Sequence, residues 1–308
     1  MSDSPQISPR QAMIFLLGSL LSTLFLFFGS SFLWSKWKIS RLSDPKSSIV
    51  ALIQTGPEKE ALSTSYLTEL LNLSSDNPTP LYAFNLKHGV QRLLSCPLIS
   101  EAKIKRIPPG ALYVDYTVRK PIAWLSDYQN TGIDHEGFLF PVAPFFSPKN
   151  LPEIYLGLPP FGEEEDAQGR KGGCWQTPLG NKHLRLALNL LNLLSDAPWR
   201  QGVRIKRIDV SNAFAKSLGQ REIVLFTEEE LIKRSGEKET VYLFPKILRL
   251  APKNYLQQLS NFFTLRQKIF EDYERQISEV SQSPQSLVQF APRIIDLRIP
   301  QMAFVQNS

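Results

Sequence analysis

Asp134-His135-Glu136 places three proton-transfer side chains in consecutive positions, the densest such cluster in the 308 residues. Acid–base chemistry needs those groups to converge on one substrate within hydrogen-bond reach. Neighbours on a strand point to opposite faces, so three in a row cannot converge. With Gly137 following, they read more simply as a hairpin turn. Ser100 and Lys103 have the Ser-x-x-Lys spacing of penicillin-recognising enzymes, but the Lys-Thr-Gly motif of that chemistry does not occur. In a predicted strand Ser100 and Lys103 also face opposite sides. His88 and His183 each stand alone near a predicted helix start, where a solvated imidazole is expected. Cys96 and Cys174 are too far apart for a zinc site of paired spacing. They are either free, with Cys96 buried, or joined if both lie outside the cytoplasm. No catalytic residue, metal ligand or cofactor motif rises above chance, and a non-enzymatic protein is expected.

Charge adds little chemistry. The 35 Lys and Arg exceed the 29 Asp and Glu by 6, and the basic residues are not gathered into the block that a dedicated nucleic-acid binder carries. The runs Lys103-Ile104-Lys105-Arg106 and Arg204-Ile205-Lys206-Arg207 put charge on strand faces, either solvated or meeting an acidic partner surface. Hydrophobic residues make up 43%, enough for packed cores.

The elements that must carry these residues begin with a membrane candidate. Ala12 to Leu33 is 22 residues without a charge. At ~1.5 Å per residue it covers ~33 Å, enough for a hydrocarbon layer. Trp34 and Trp37 follow at interface positions. The run exceeds the usual apolar core of a cleaved signal peptide, so an uncleaved anchor is expected. Flanking charge is Arg10 before the run and Lys36, Lys38 and Arg41 after it, a bias that by itself favours a cytoplasmic C-terminal part.

After a basic connector, Ile49–Ile53 reads as a strand stopped by Gly56-Pro57. A helix capped by Ser63 or Thr64 comes next, then a second helix from Asn85 to Pro97. Two alternating strands follow: Ala102 and Ile104 against Lys103 and Lys105, then Leu112, Val114, Tyr116 and Val118 against Tyr113, Asp115 and Thr117. Strand, helix, helix, strand, strand is economical as two helices on one face of a three-stranded sheet. Farther on, residues 161–180 read as a charged loop, and Leu184, Ala187, Leu188, Leu191 and Leu194 as a helix ending before Pro198. Val203–Val210, Glu222–Thr227 and Thr240–Phe244 read as strands. Leu256, Leu259, Phe263 and Phe270 mark a long late helix.

Cys96–Trp124, CPLISEAKIKRIPPGALYVDYTVRKPIAW, resembles the end of the POTRA domain of the FtsQ/DivIB cell-division family. Pro97-Leu98, Ala102, Arg106, Pro108, Leu112, Val114, Pro121, Ala123 and Trp124 fall on its pattern. Ile133–Phe140 is similar to the family's Val-Asp-x-x-Gly-x-x-Phe hairpin, and Leu151-Pro152-Glu153-Ile154 with Gly157 to its Leu-Pro step. Ile295–Pro300 with Ala303-Phe304-Val305 resembles its closing strand pair. Val118, Ile299 and Gln301-Met302 depart from the family's Glu, Tyr and glycine turn.

The resemblance implies an α+β chain: a short cytoplasmic tail (1–11), a transmembrane helix (12–34), a linker (35–48), a POTRA domain (49–120) and a second domain with an antiparallel or mixed sheet (121–308). It also implies an inner-membrane protein of the division septum, with both domains outside the cytoplasm, docking FtsB/FtsL-type bitopic partners. Arg293–Ile299 alternates, and Pro300 beside it favours a sheet edge able to accept a partner strand. The expected docking residues are Asp296, Leu297, Arg298, Ile299, Gln301 and Phe304, with Arg221–Leu225, including Ile223, as an adjoining strand. A membrane-anchored cell-wall enzyme is the alternative. An outer-membrane assembly component is disfavoured, because a late helix stands where a barrel needs strands.

Overall fold

The computed structural model describes residues 9–42, 47–56, 60–163, 170–195, 202–235, 238–280 and 287–307. Expectations for the first eight residues, residues 43–46 of the linker, Pro57, residues 164–169 of the loop and Pro198 lie outside these. The protein is mixed α+β and divides into two compact units, Met1–Val118 and Arg119–Ser308.

The first unit opens with α1, Pro9–Leu42. Its stretch Met13–Lys36 is long and apolar enough to cross a membrane, and none of its most apolar part is buried by protein. The helix continues through the Lys36–Leu42 segment expected to be a connector. No Gly or Pro interrupts the chain between Ser30 and Asp44, so nothing local stops the backbone ladder.

β1 (Ala51–Thr55), α2 (Thr64–Leu70), α3 (Leu86–Ser95), β2 (Ile99–Ile107) and β3 (Ala111–Val118) then follow in the expected order. The sheet runs β1-β3-β2, with β1 parallel and β2 antiparallel to β3. Ser63 and Asn85 cap the two helices, each side chain accepting a backbone N–H three residues on. Period-two alternation turns Leu112, Val114, Tyr116 and Val118 inward, where they are buried as are Leu67, Leu71, Leu93 and Leu98. Tyr113, Asp115 and Thr117 of β3 point to the opposite, more exposed face.

The second unit contains β4 (Ala123–Leu125), β5 (Thr131–Ile133), β6 (Leu139–Pro141), β7 (Glu153–Tyr155), α4 (Lys182–Ser195), β8 (Val203–Asp209), β9 (Ile223–Ser235), β10 (Lys238–Leu250), α5 (Tyr255–Val280), β11 (Leu287–Gln289), β12 (Arg293–Asp296) and β13 (Phe304–Asn307). One mixed sheet runs β13-β12-β10-β9-β8-β7-β4-β5-β6, and β11 pairs with β10 in line with β12. Leu194 of α4 meets Leu259 and Phe262 of α5 over Leu225 and Leu248, so both helices cover one face.

β9 and β10 are each 13 residues long, far beyond the expected Glu222–Thr227 and Thr240–Phe244. Charged residues in the same two-residue period disguise the extension: Thr227 and Glu229 occupy the inward register, while Lys233 and Arg234 are exposed. The tip pairs, Thr240 with Lys233 through Lys238 with Ser235, have no third strand beside them among the described residues. α5 is also rotated from the expected face. It buries Leu259, Phe262, Ile269, Tyr273 and Ile277, leaving Leu256 and Phe270 exposed.

Polar groups cross the core beneath α5. Thr227, Lys246 and Arg293 stand side by side on β9, β10 and β12 and are all buried. Glu229 lies against Lys246 and accepts from Arg266 Nε at 2.8 Å. Burial pulls the Lys246 ammonium down to about 8, only partly offset by the attraction of Glu229.

Candidate docking site

The site lies where β12 leaves the sheet. Arg293–Asp296 pairs in parallel with Lys246–Arg249, and the Leu297 N–H donates to the Arg249 carbonyl at 2.9 Å. Ile295 and Leu297 alternate inward and are buried, so Asp296 and Arg298 fall on the opposite face. There they form a four-residue ion cluster. Arg298 Nη2 stands 2.7 Å from Asp296 Oδ2, and Arg298 Nη1 3.3 Å from Glu222 Oε2. Arg249 Nη2 reaches Glu222 Oε2 at 2.6 Å, and its Nη1 lies 3.5 Å from Asp296 Oδ2.

Burial disfavours the Asp296 carboxylate, but hydrogen bonds from the Arg298 side chain and backbone, with the charges of Arg298 and Arg249, outweigh it. The Asp296 carboxyl is held below its ordinary range. The same hydrogen bonds push the Arg298 guanidinium further up. The cluster thus pins the first residues of the turn that follows.

Ile299 to Ala303 reverses the chain. The Met302 N–H donates to the Ile299 carbonyl at 3.3 Å, and Gln301 takes the left-handed φ of +64°. β13 then returns antiparallel to β12, pairing Phe304 with Asp296 and Val305 with Ile295. This corrects the expectation that Arg293–Ile299 is the sheet edge. β12 is flanked on both sides, by β10 and β13, and Pro300 sits in the turn. The open edge belongs to β13, which ends the sheet order among the described residues. Ile299, Met302, Phe304 and Val305 are about half exposed there, at 49%, 55%, 51% and 47%.

The expected adjoining strand is also corrected. β9 pairs with β10, so β10 separates Ile223 and Leu225 from β12, and both are fully buried in the core. Arg221 donates from Nε to the Ala215 carbonyl at 2.7 Å. Only its neighbour Glu222 reaches the site. The structure brings Asp296, Leu297, Arg298, Ile299, Gln301 and Phe304 into one continuous segment, two of them as ion partners, one as core and three exposed. Sequence reasoning included Glu222 only as part of the Arg221–Leu225 strand, not as an ion partner, and missed Arg249. Their partners lie dozens of residues away, beyond any spacing rule.

The other chemical candidates find structural places. Asp134 is buried, accepts the Glu136 and Phe138 N–H groups on Oδ1, and pairs with Arg119 at 2.7 Å. Gly137 completes that turn at φ +89°, a conformation side chains rarely adopt. Ser100 sits at the β2 irregularity and donates to the Thr117 carbonyl. Ser75-Asp76-Asn77, a further fragment of the penicillin-recognition signature, precedes it in an exposed turn. Arg204 and Lys206 meet Glu230 and Glu228 of β9, at 3.8 Å and 3.1 Å.

His88 is exposed, but His183, expected to be solvated, is buried edge-on to Phe214 with ring centroids 5.0 Å apart. Both cysteines are free: Cys96 meets the Tyr66 hydroxyl, and Cys174 the Gln176 side chain. Among the described residues no three His, Cys, Asp or Glu gather as a metal cluster requires.

No family model and no curated protein matches this chain.

Proposed function

We propose that the protein is a non-enzymatic, single-pass membrane scaffold of the FtsQ/DivIB kind, joining early and late cell-division proteins at the septum. In this reading 1–11 is a cytoplasmic tail, α1 crosses the inner membrane, residues 49–120 form a POTRA domain and residues 121–308 the second extracytoplasmic domain. The partners are FtsB/FtsL-type bitopic proteins, and no cofactor is required. The observation that carries the reading is β13, an outermost strand with exposed Phe304 and Val305 beside a turn fixed by the Asp296–Arg298 cluster. An unpaired edge offers backbone N–H and C=O groups to an incoming strand, and alternate side chains supply selectivity. The β-α-α-β-β order of the first unit is what a POTRA domain has, and α1 suits an anchor. Anchoring confines the units to a thin layer and raises the effective concentration of neighbours there.

The test is capture from solubilised membranes by the full chain and by two variants, one ending at Gln301 and one carrying Phe304→Asp with Val305→Asp. Both changes spare the buried Ile295 and Leu297. Loss of FtsB/FtsL-type proteins from both captures, with melting unchanged, supports edge docking. Equal capture by all three chains rejects it. A reporter fused after Ser308 tests the topology, and a cytoplasmic signal would reject the whole arrangement.

A further inference from the structure

Where β1 begins, β2 finishes and β3 starts, the surface of the first unit turns apolar. Outside α1, the described residues of that unit expose four large apolar side chains. Three of them, Val50, Ile53 and Ile107, stand at this end of the sheet, 85%, 45% and 38% exposed. Single exposed apolar residues are ordinary, but neighbours in one patch mark a surface that meets something other than water. The exposed turn residues Pro108 and Pro109 extend the patch. It is held stiffly: the Gly110 carbonyl accepts the Val50 N–H at 2.8 Å and the Ala51 N–H at 3.3 Å, and a Cβ on Gly110 would run into the Ser48 carbonyl.

Polarity changes in steps away from that end. On the more exposed face of the sheet the first row is Ile107, Ala111 and Ala51. The second is Lys105, Tyr113 and Ile53, and the third Lys103, Asp115 and Thr55. Rows on one face lie ~7 Å apart. Apolar groups therefore come first, a lysine and an amphipathic tyrosine one row later, and charged groups beyond. The same order runs along α1, whose apolar span gives way to Trp34 and Lys36. It is the order of a bilayer: hydrocarbon, then headgroups that favour aromatic rings and cations, then water. The tether brings this end within reach of one. α1 stops at Leu42, and Ser47, at the entry to the sheet, is five residues on. Those residues extend at most ~18 Å and the helix from Lys36 to Leu42 rises ~9 Å, so Ser47 lies no farther than ~27 Å from the end of the apolar span.

We infer that this end of the first unit docks on the bilayer surface, with Val50, Ile107 and the proline turn among the headgroups and upper acyl chains. Lys105 and Tyr113 then fall at headgroup level, and the two lysines favour anionic lipid. The inference rests on the reading of α1 as a membrane anchor and is independent of the edge strand. Its consequence is a first unit held in one orientation on the membrane, rather than swinging on its linker.

The experiment is spin-label accessibility on the full chain, one per nanodisc of anionic lipid, carrying Cys174→Ser so that the one remaining native thiol is the buried Cys96. A nitroxide on Ala51→Cys, in the first row, should be relaxed more by lipid-soluble oxygen than by a water-soluble nickel complex. One on Glu101→Cys, three rows away, should show the reverse order. Val50→Asp with Ile107→Asp should reverse the order at position 51, and Lys103→Glu with Lys105→Glu, or zwitterionic lipid, should reduce the preference for oxygen. These positions are all exposed, so the variants should melt like the parent chain. A label at position 51 that meets nickel first, in discs that retain the chain, overturns the inference and leaves the anchor standing. A chain that separates from the discs overturns both. Shielding that appears only with two chains in a disc assigns the patch to a second copy and overturns the lipid contact.

Discussion

Two ion networks occupy opposite faces of the same three strands. On the inner face Glu229, Lys246, Arg266 and Arg293 lie beneath α5. On the outer face Glu222, Arg249, Asp296 and Arg298 surround the start of the last turn. Both join carboxylates to basic side chains, and what differs most is their surroundings. The Lys246 and Glu229 side chains are 0% and 5% exposed, those of Arg249 and Arg298 36% and 26%. Buried charges stabilise only while each has its partner, because the cost of removing them from water is large. Charges at the rim are screened, and their use is to fix geometry. One network is a constraint on the core and the other a peg for a surface.

The largest effect that could break this comparison is Glu229→Ala, which removes the carboxylate beside the buried Lys246 and one partner of Arg266. A loss of roughly 3–5 kcal/mol in denaturant unfolding is expected. A loss no greater than that of an ordinary surface change would show that the inner pairs are not ionic. Replacing the pair together, Glu229→Leu with Lys246→Met, should recover most of that loss, since the fully buried ammonium goes with its carboxylate and Arg266 is partly exposed.

Titration separates the faces next. The folded Lys246 sits near 8, below its unfolded value of about 10.4, so the unfolded chain binds more protons between those limits. Its contribution to stability is therefore complete above about pH 10 and is lost as pH falls toward 8, by up to ~3 kcal/mol. Melts at pH 8 and pH 10 should show this rise in the parent and lack it in the double variant. Asp296 behaves in the carboxylate sense. Its depressed folded pKa gives stability above the ordinary Asp range that fades as acid protonates it. Smallest of all, Arg298→Ala should cost about 1 kcal/mol or less, reduced further by high salt, while hydrogen exchange rises over Ile299–Ala303. A salt-independent loss of several kcal/mol would erase the distinction between the faces.

The first unit was legible in the sequence because its signals are local: Ser63 and Asn85 cap adjacent helices, and Leu112 to Val118 alternate without a break. The second unit was legible where period two was apolar and obscured where it was not. Thr227 and Glu229 occupy core positions on β9, so a strand of 13 residues looked like six. The face of α5 was misread because Leu256, Phe263 and Phe270 were grouped with Leu259, whereas the buried stripe joins Leu259 to Phe262, Ile269, Tyr273 and Ile277. At the candidate docking site, the residues within 296–304 were singled out by alternation and resemblance. Their neighbours were not, because whether a terminal strand is covered depends on the turn at Gln301, and an ion partner such as Glu222 is chosen by register across three strands.

The overhanging tip of the β9–β10 hairpin has a consequence for how the sheet comes apart. From Thr240 outward each strand leans on a single neighbour, and the Arg234–Glu239 pair at 3.7 Å is its only ion pair among the described residues. Fraying should begin there and travel inward, like a ribbon unpeeling from its loose end, and stall from Val241, where β9 and β11 grip β10 on both sides. Amides near the tip would exchange first, and those at the root of the same strand last.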